Sequence, residues 1–320
     1  MKAAVGRRGG RAVSHTKAEP ALWGLVGNTP LIPLPSYGPT ALPPILLKAE
    51  WLNPGGSVKD RAALAILRDG IARGELPGKR LLDASSGNTA VAYAMLGTAA
   101  QIGVTVCVPG NASAERHALL EAYGAEVVRT DPLEGSDGAI REARRLAHAH
   151  PARYWYADQY NHPANVLAHY RTTGEEIWRQ TEGRVSHVVA GLGTTGTLMG
   201  AGRRLRELNP AVRLVAVQPD GPFHGIEGLK HLATAIVPGI YDPTVPNRHE
   251  FVATEEAEGM VRRLARESGL LVGWSTGAAV LAALRVAGQP GVPSPVIVVI
   301  APDSGRSYLS EADRLAGRAS

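Results

Sequence analysis

The sequence predicts an α/β protein of two three-layer units with mostly parallel sheets and a ligand cleft between them. Three observations carry this expectation. Short apolar runs alternate with longer stretches of helical period along most of the chain. Runs such as "VTVCVP" (104–109) and "PVIVVIAP" (295–302) lack polar alternation, as strands buried on both faces do. Strand-to-helix turns are rich in glycine, serine and threonine. A length of 320 residues allows one large domain or two of ordinary size.

Taken in order, "ILLKAEW" (45–51) reads as a strand, "SVKDRAALAILRDGIARG" (57–74) as a helix and "RLLDAS" (80–85) as a strand. The helix "NTAVAYAMLGTAAQIG" (88–103), strand "VTVCVP", helix "SAERHALLEAYG" (113–124), strand "AEVVRT" (125–130) and helix "DGAIREARRLAHAHP" (137–151) complete a first unit. The more polar "YNHPANVLAHYRTTGEEIWRQ" (160–180) reads as a crossing between units. A second unit follows, with strand "VSHVVAG" (185–191), helix "TLMGAGRRLRELNP" (197–210), strand "RLVAVQP" (213–219), helices at 254–269 and 277–288, and the closing apolar strand. This βαβ rhythm calls for helices on both faces of parallel sheets.

Charge placement excludes several classes of function. Lys2, Arg7, Arg8, Arg11 and Lys17 against Glu19 account for +4 of the formal +5, so residues 1–20 form a basic arm, expected to be disordered, on a nearly neutral body. That body lacks the basic footprint of a nucleic-acid binder. No apolar run approaches a membrane span, and the single cysteine excludes an internal disulfide, so a cytoplasmic enzyme is expected. Cys107 lies in an apolar strand and reads as a small hydrophobe. The ten histidines form no H-E-x-x-H or comparable set, and no metal is expected.

The chemistry-bearing stretches are glycine- and hydroxyl-rich. "GLGTTGTLMG" (191–200) satisfies G-x-G-x-x-G after a strand and before a helix, with Asp220 at nearly the distance a dinucleotide site requires. Its late position in the chain and the threonines at 194, 195 and 197 suit instead a single terminal phosphate, held by backbone N–H groups, hydroxyls and a helix N-terminus. "NPGGSVKDR" (53–61) sets Lys59 at a helix start after a glycine turn, where solvated end charges are an equally simple reading. "SSGNT" (85–89) and "GWSTG" (273–277) offer N–H and hydroxyl groups at two further helix starts, fit for anions or for ordinary caps.

Together with "LVGNTPLIPL" (25–34), "DQYNHPAN" (158–165) and "DSGRSYLS" (303–310), these stretches stand in the order found in the cysteine synthase family of fold-type II pyridoxal-phosphate enzymes. The chain resembles that family from Leu22 to Ser310, and its "GTTGTLMG" and 225–243 stretches look more like the B-type branch, which includes O-phosphoserine sulfhydrylases. The resemblance implies a tryptophan synthase β-like fold with the active site in the interdomain cleft. A smaller domain would span 51–160 and a larger one 21–50 with 161–320. It implies pyridoxal 5'-phosphate bound covalently by Lys59, with Asn88 at the ring's 3'-oxygen and Ser275 at its nitrogen. Gly193, Thr194, Thr195, Gly196 and Thr197 would hold the phosphate. Ser85, Ser86, Gly87, Thr89 and Gln159 would grip the substrate carboxylate.

The implied reaction is β-replacement on O-phosphoserine or O-acetylserine. Lys59 acts as general base, an α-aminoacrylate is the intermediate, and sulfide or a sulfur-carrier protein donates sulfur to give L-cysteine. Serine at the ring nitrogen makes a weaker electron sink, which favours loss of a β-substituent over transamination. Lys230 stands where phosphoserine-using members carry an arginine, and His231 is beside it; a lysine there supplies a point charge without a bidentate fork. A solvated surface lysine is the other reading. Ser85 in place of threonine and Trp274 in place of a small aliphatic residue are expected near the pocket. The resemblance also implies a homodimer, and no regulatory domain is expected after "SYLS". Rival expectations are an amine nucleophile giving 2,3-diaminopropionate, an NAD-dependent oxidoreductase, and a silent binding protein on the same scaffold.

Overall fold

A computed structural model describes residues 18–35, 44–85, 87–110, 112–289 and 296–317. Most of the basic arm, and Ser86 of the proposed carboxylate loop, lie outside the described residues.

The chain opens with β1 (Leu31–Pro33) and β2 (Ile45–Ala49), followed by α1 (Lys59–Ala72), β3 (Arg80–Ala84), α2 (Asn88–Ala99), β4 (Val104–Pro109), α3 (Ala114–Ala122), β5 (Glu126–Thr130), α4 (Gly135–Ala149) and β6 (Tyr154–Tyr156). Then come α5 (Pro163–Arg171), α6 (Thr173–Gln180), β7 (Val185–Gly191), α7 (Gly196–Leu208), β8 (Arg213–Pro219), β9 (Arg248–Val252), α8 (Thr254–Ser268), α9 (Trp274–Ala287), β10 (Val296–Ala301) and α10 (Ala312–Ala316).

Two sheets result. A four-stranded sheet, ordered β5-β4-β3-β6, is parallel throughout. A six-stranded sheet, ordered β1-β2-β10-β7-β8-β9, is parallel except for the antiparallel β1–β2 pair. β4 and β10 are buried along their whole length, which explains their unbroken apolar sequence. Val189, Val215, Val299 and Ala279 share one apolar cluster of the larger sheet, and Val188, Leu198, Leu205 and Leu214 form another. Leu81, Val106, Tyr93 and Leu96 centre the packing of the smaller sheet.

The structure adds strands that the pattern hides. β6 has three residues and β9 reads "RHEFV"; both are sheet edges, paired on one side only, where neither length nor apolar content is required. The polar segment 160–180, expected to cross between units, carries two helices, α5 and α6. His162 caps the first through Nδ1, which accepts from Ala164 N–H at 3.2 Å. Asn165, His169 and Thr173, four residues apart, are all buried, so the inward stripe is itself polar and gives no apolar periodicity.

Candidate active site

The Lys59 segment is fixed from both sides. Gly56 takes φ +81°, in the left-handed region open to glycine, and Gly55 N–H donates to Asp60 Oδ2 at 2.5 Å, closing the turn. Val58 N–H donates to Pro302 O at 2.9 Å, and Ser57 bridges to Asp303. Two residues after Lys59 on α1, Arg61 donates to Glu50 (2.6 Å) and Glu176 (2.7 Å), and Lys48 donates to Glu176 at 2.6 Å. All four side chains are buried, so two cations and two carboxylates neutralise one another behind the start of α1. Lys59 itself is partly buried. Burial lowers the pKa of its amine, while the charges of Asp303 and Glu50 oppose that shift.

The 85–89 loop follows β3. Ser85 and Thr89 are buried, and Asn88 begins α2. Thr89 Oγ1 donates to Gln159 Oε1 at 2.8 Å, and Gln159 Nε2 donates to Ala84 O at 2.7 Å, so the Gln159 amide is held at both ends. Asn88 reaches the other sheet: its Nδ2 donates to Asp303 Oδ2 at 2.6 Å.

The glycine turn joins β7 to α7. A Cβ on Gly193 would stand 2.3 Å from Gly228 O, and one on Gly196 would stand 2.1 Å from Asn165 Oδ1, so both positions need a bare backbone. Thr195 sits in the left-handed region at φ +71°, and its buried hydroxyl has no hydrogen-bond partner. Asn165 Nδ2 donates to Thr194 Oγ1 at 3.1 Å, and Thr197 Oγ1 lies 3.2 Å from His169 Nε2. The buried polar stripe of α5 is therefore the platform of the turn. Burial, with the charges of Arg61 and Lys59, pushes the His169 pKa well down and keeps its ring neutral.

These pieces meet in one cleft. A cavity of about 410 Å³ is lined by Lys59, Ser85, Gly87, Asn88, Thr89, Gln159, Gly193, Thr194 and Lys230. A narrower recess is lined by Lys59, Asn88, Gly193, Thr194, Thr195, Thr197, Ser275 and Asp303. Gly196 lines neither, but starts α7 beneath the turn. Lys230 is buried rather than solvated: its Nζ donates to Asp137 Oδ1 at 2.9 Å and lies 5.1 Å from the Tyr160 ring centroid. His231 instead pairs with Thr234. Trp274 does not line the cavity; it is buried in the apolar cluster beside Tyr308, with ring centroids 5.9 Å apart.

Sequence reasoning missed Arg116, Glu227, Asp137 and Tyr308. Arg116, on α3, lines the cavity, pairs with Glu227 at 2.6 Å and lies 5.4 Å from the Tyr308 ring centroid. Tyr308 and Asp303 both stand in "DSGRSYLS", so the motif was visible although its chemistry was not. Cys107 is buried on β4 with its thiol pushed up to about 12, as a packed hydrophobe.

The turn at 193–197 fits a phosphate monoester: close backbone, a partnerless buried hydroxyl and a helix N-terminus converge there. Lys59, with its lowered pKa, and Ser275, buried in the first turn of α9, border the same recess, so the donor set suits pyridoxal phosphate. Among the described residues no group of three or more metal-ligating side chains occurs, and no helix is long and apolar enough to cross a membrane.

Comparison with known proteins agrees with this chemistry. The family model described as "Pyridoxal-phosphate dependent enzyme" matches residues 22–303. A cysteine synthase of Aquifex aeolicus is 47% identical over 308 residues, covering 93% of each chain. Among solved structures, a cysteine synthase from Entamoeba histolytica superposes with a TM-score of 0.88 at 31% identity, over 99% of this chain and 96% of that one. An O-ureido-L-serine synthase gives a TM-score of 0.83 at 36% identity, over 90% of this chain and 93% of that one. With its turn, its lysine and residues 22–303 accounted for in this way, the chain belongs to the pyridoxal-phosphate dependent enzymes.

Proposed function

We propose that this enzyme makes L-cysteine by β-replacement on an activated serine, using a sulfur nucleophile. The observation that carries the reading is Lys59. An amine of lowered pKa lines one cavity of about 410 Å³ together with Ser85, Gly87, Asn88, Thr89, Gly193 and Thr194. Bound pyridoxal phosphate supplies an electron sink for negative charge at the substrate Cα. Gly193 to Thr197 hold its phosphate, Ser275 its ring nitrogen and Asn88 its 3'-oxygen. The 85–89 loop and Gln159 bind the substrate carboxylate. Lys59 Nζ takes the Cα proton as the β-substituent leaves, and returns it after the nucleophile has added. The cleft lies between two domains, 51–160 and 21–50 with 161–320.

O-phosphoserine is the favoured donor, because Lys230 and Arg116 bring two cations to the cavity wall. Both are balanced by carboxylates, Asp137 and Glu227, so a phosphate dianion enters in competition with these. The "GTTGTLMG" turn supports placement beside the B-type enzymes. A second reading keeps the machinery and changes the nucleophile, which the likeness to an O-ureido-L-serine synthase favours. Product analysis with sulfide, thiosulfate and small amines, against O-phosphoserine and O-acetylserine in turn, tests all of these. Cysteine formed fastest from O-phosphoserine and sulfide is expected; turnover with amines alone would replace the sulfur reading.

A further inference from the structure

Asp303 follows the last strand, β10, in a position no role has yet claimed. Its backbone joins two segments of the site: it bridges to Ser57 beside Lys59, and its carbonyl accepts from Gly273 N–H at 3.1 Å, two residues before Ser275. Its side chain is 2% exposed. Oδ2 accepts from Asn88 Nδ2 at 2.6 Å and from Tyr308 Oη at 2.6 Å, while Oδ1 is buried without a hydrogen-bond partner. A Cβ on Gly273 would stand 1.9 Å from Oδ1, so the glycine of "GWSTG" makes room for this carboxylate.

Burial raises the Asp303 pKa, and the Tyr308 and Asn88 hydrogen bonds with the charges of Lys59 and Arg116 offset part of that rise. Asp303 Oδ2 accepts from both Tyr308 Oη and Asn88 Nδ2, so the nitrogen of the Asn88 amide faces Asp303. The second N–H of that nitrogen stays available for another acceptor, and the amide cannot turn over to present its oxygen.

We propose that Asp303 is a positioning residue of the cofactor site, acting through Asn88: it sets the amide so that an N–H is offered to the anionic 3'-oxygen of pyridoxal phosphate. This rests on the reading that Asn88 contacts that oxygen. Asp303 also ties α2, which packs on the four-stranded sheet, to the end of a strand of the six-stranded sheet, so the contact is set across the cleft.

A double-mutant cycle tests it. Full-length protein loaded with pyridoxal phosphate is dialysed against graded cofactor concentrations, and the bound fraction is read from visible absorbance. Asp303→Ala weakens retention about tenfold in the native background, the loss expected of one charge-assisted hydrogen bond, and less than about twofold when Asn88 is already alanine. Asp303→Asn, whose amide oxygen still accepts from Tyr308 and Asn88, restores most of the loss. Should Asp303→Ala not fold, Asp303→Ser, too short to reach Asn88, takes its place in the cycle. Additive losses, or native retention in Asp303→Ala, overturn the proposal. Native protein that holds no pyridoxal phosphate removes the underlying reading, and this proposal with it.

Discussion

Replacing Gly193 by alanine tests the glycine turn most directly. The added Cβ would lie 2.3 Å from Gly228 O, whereas ordinary contact begins at 3.4 Å, so the turn and the 228 backbone must part by about 1 Å. The obstacle is backbone rather than a flexible side-chain tip, so no rotamer change relieves it. On the proposed reading the displaced group is the cradle of the phosphate, which would fix the cofactor relative to Lys59. A misplacement of about 1 Å costs on the order of 100-fold in rate where reacting groups must be aligned. Gly193→Ala is therefore expected to lower kcat/KM about 100-fold and weaken cofactor retention, with the far-ultraviolet spectrum unchanged. Steady-state kinetics at saturating pyridoxal phosphate, with equilibrium dialysis of the cofactor, measure both. A variant within about threefold of the parent in both would refute the argument that close approach at 193 builds the site.

Three further outcomes are expected. Glu176→Ala leaves Arg61 and Lys48 short of a buried carboxylate and lowers unfolding free energy by about 3–5 kcal/mol in a denaturant titration. Burial raises the Glu176 pKa, but Arg61 and Lys48 outweigh it and hold the carboxyl at about 2 against 4.5 in the unfolded chain. Its stabilisation is thus complete above about pH 4.5 and lost as pH falls toward 2, and the variant shows a shallower acid slope than the parent. Lys230→Ala raises KM for O-phosphoserine roughly tenfold and leaves that for O-acetylserine alone; equal effects on both donors would remove Lys230 from phosphate recognition. Cys107 resists thiol reagents in the native protein and reacts on unfolding, and Cys107→Ser retains activity.

What the sequence disclosed, and what it hid, divide along physical lines. Helices such as 59–72 and strands such as 104–109 advertise themselves because burial is paid in apolar side chains, which leave a period. α5 and α6 escaped because their buried stripe of Asn165, His169 and Thr173 serves the glycine turn instead of an apolar core. The edge strands β6 and β9 escaped because one-sided backbone pairing asks little of side chains. Lys59, Asn88, Gly193 and Lys230 were legible through motifs and meet at one cavity. Arg116 and Glu227, more than a hundred residues apart, meet only through the fold, and no local pattern announces such a pair. Trp274 is near the cavity only through Tyr308, on which it packs from the core side.

The stretch between β8 and β9 contains no regular helix or strand among its residues, yet it sets Glu227, Gly228, Leu229 and Lys230 in the cavity wall. It hangs from the side of the larger sheet remote from β1, and its Lys230 N–H donates to Leu192 O at 2.8 Å beside the glycine turn. On the proposed reading, side chains of this stretch can be exchanged to change the group that meets the donor, whereas its Gly228 backbone has to stay where it backs the glycine turn. Selectivity is written in a replaceable margin, and chemistry in the bound pages.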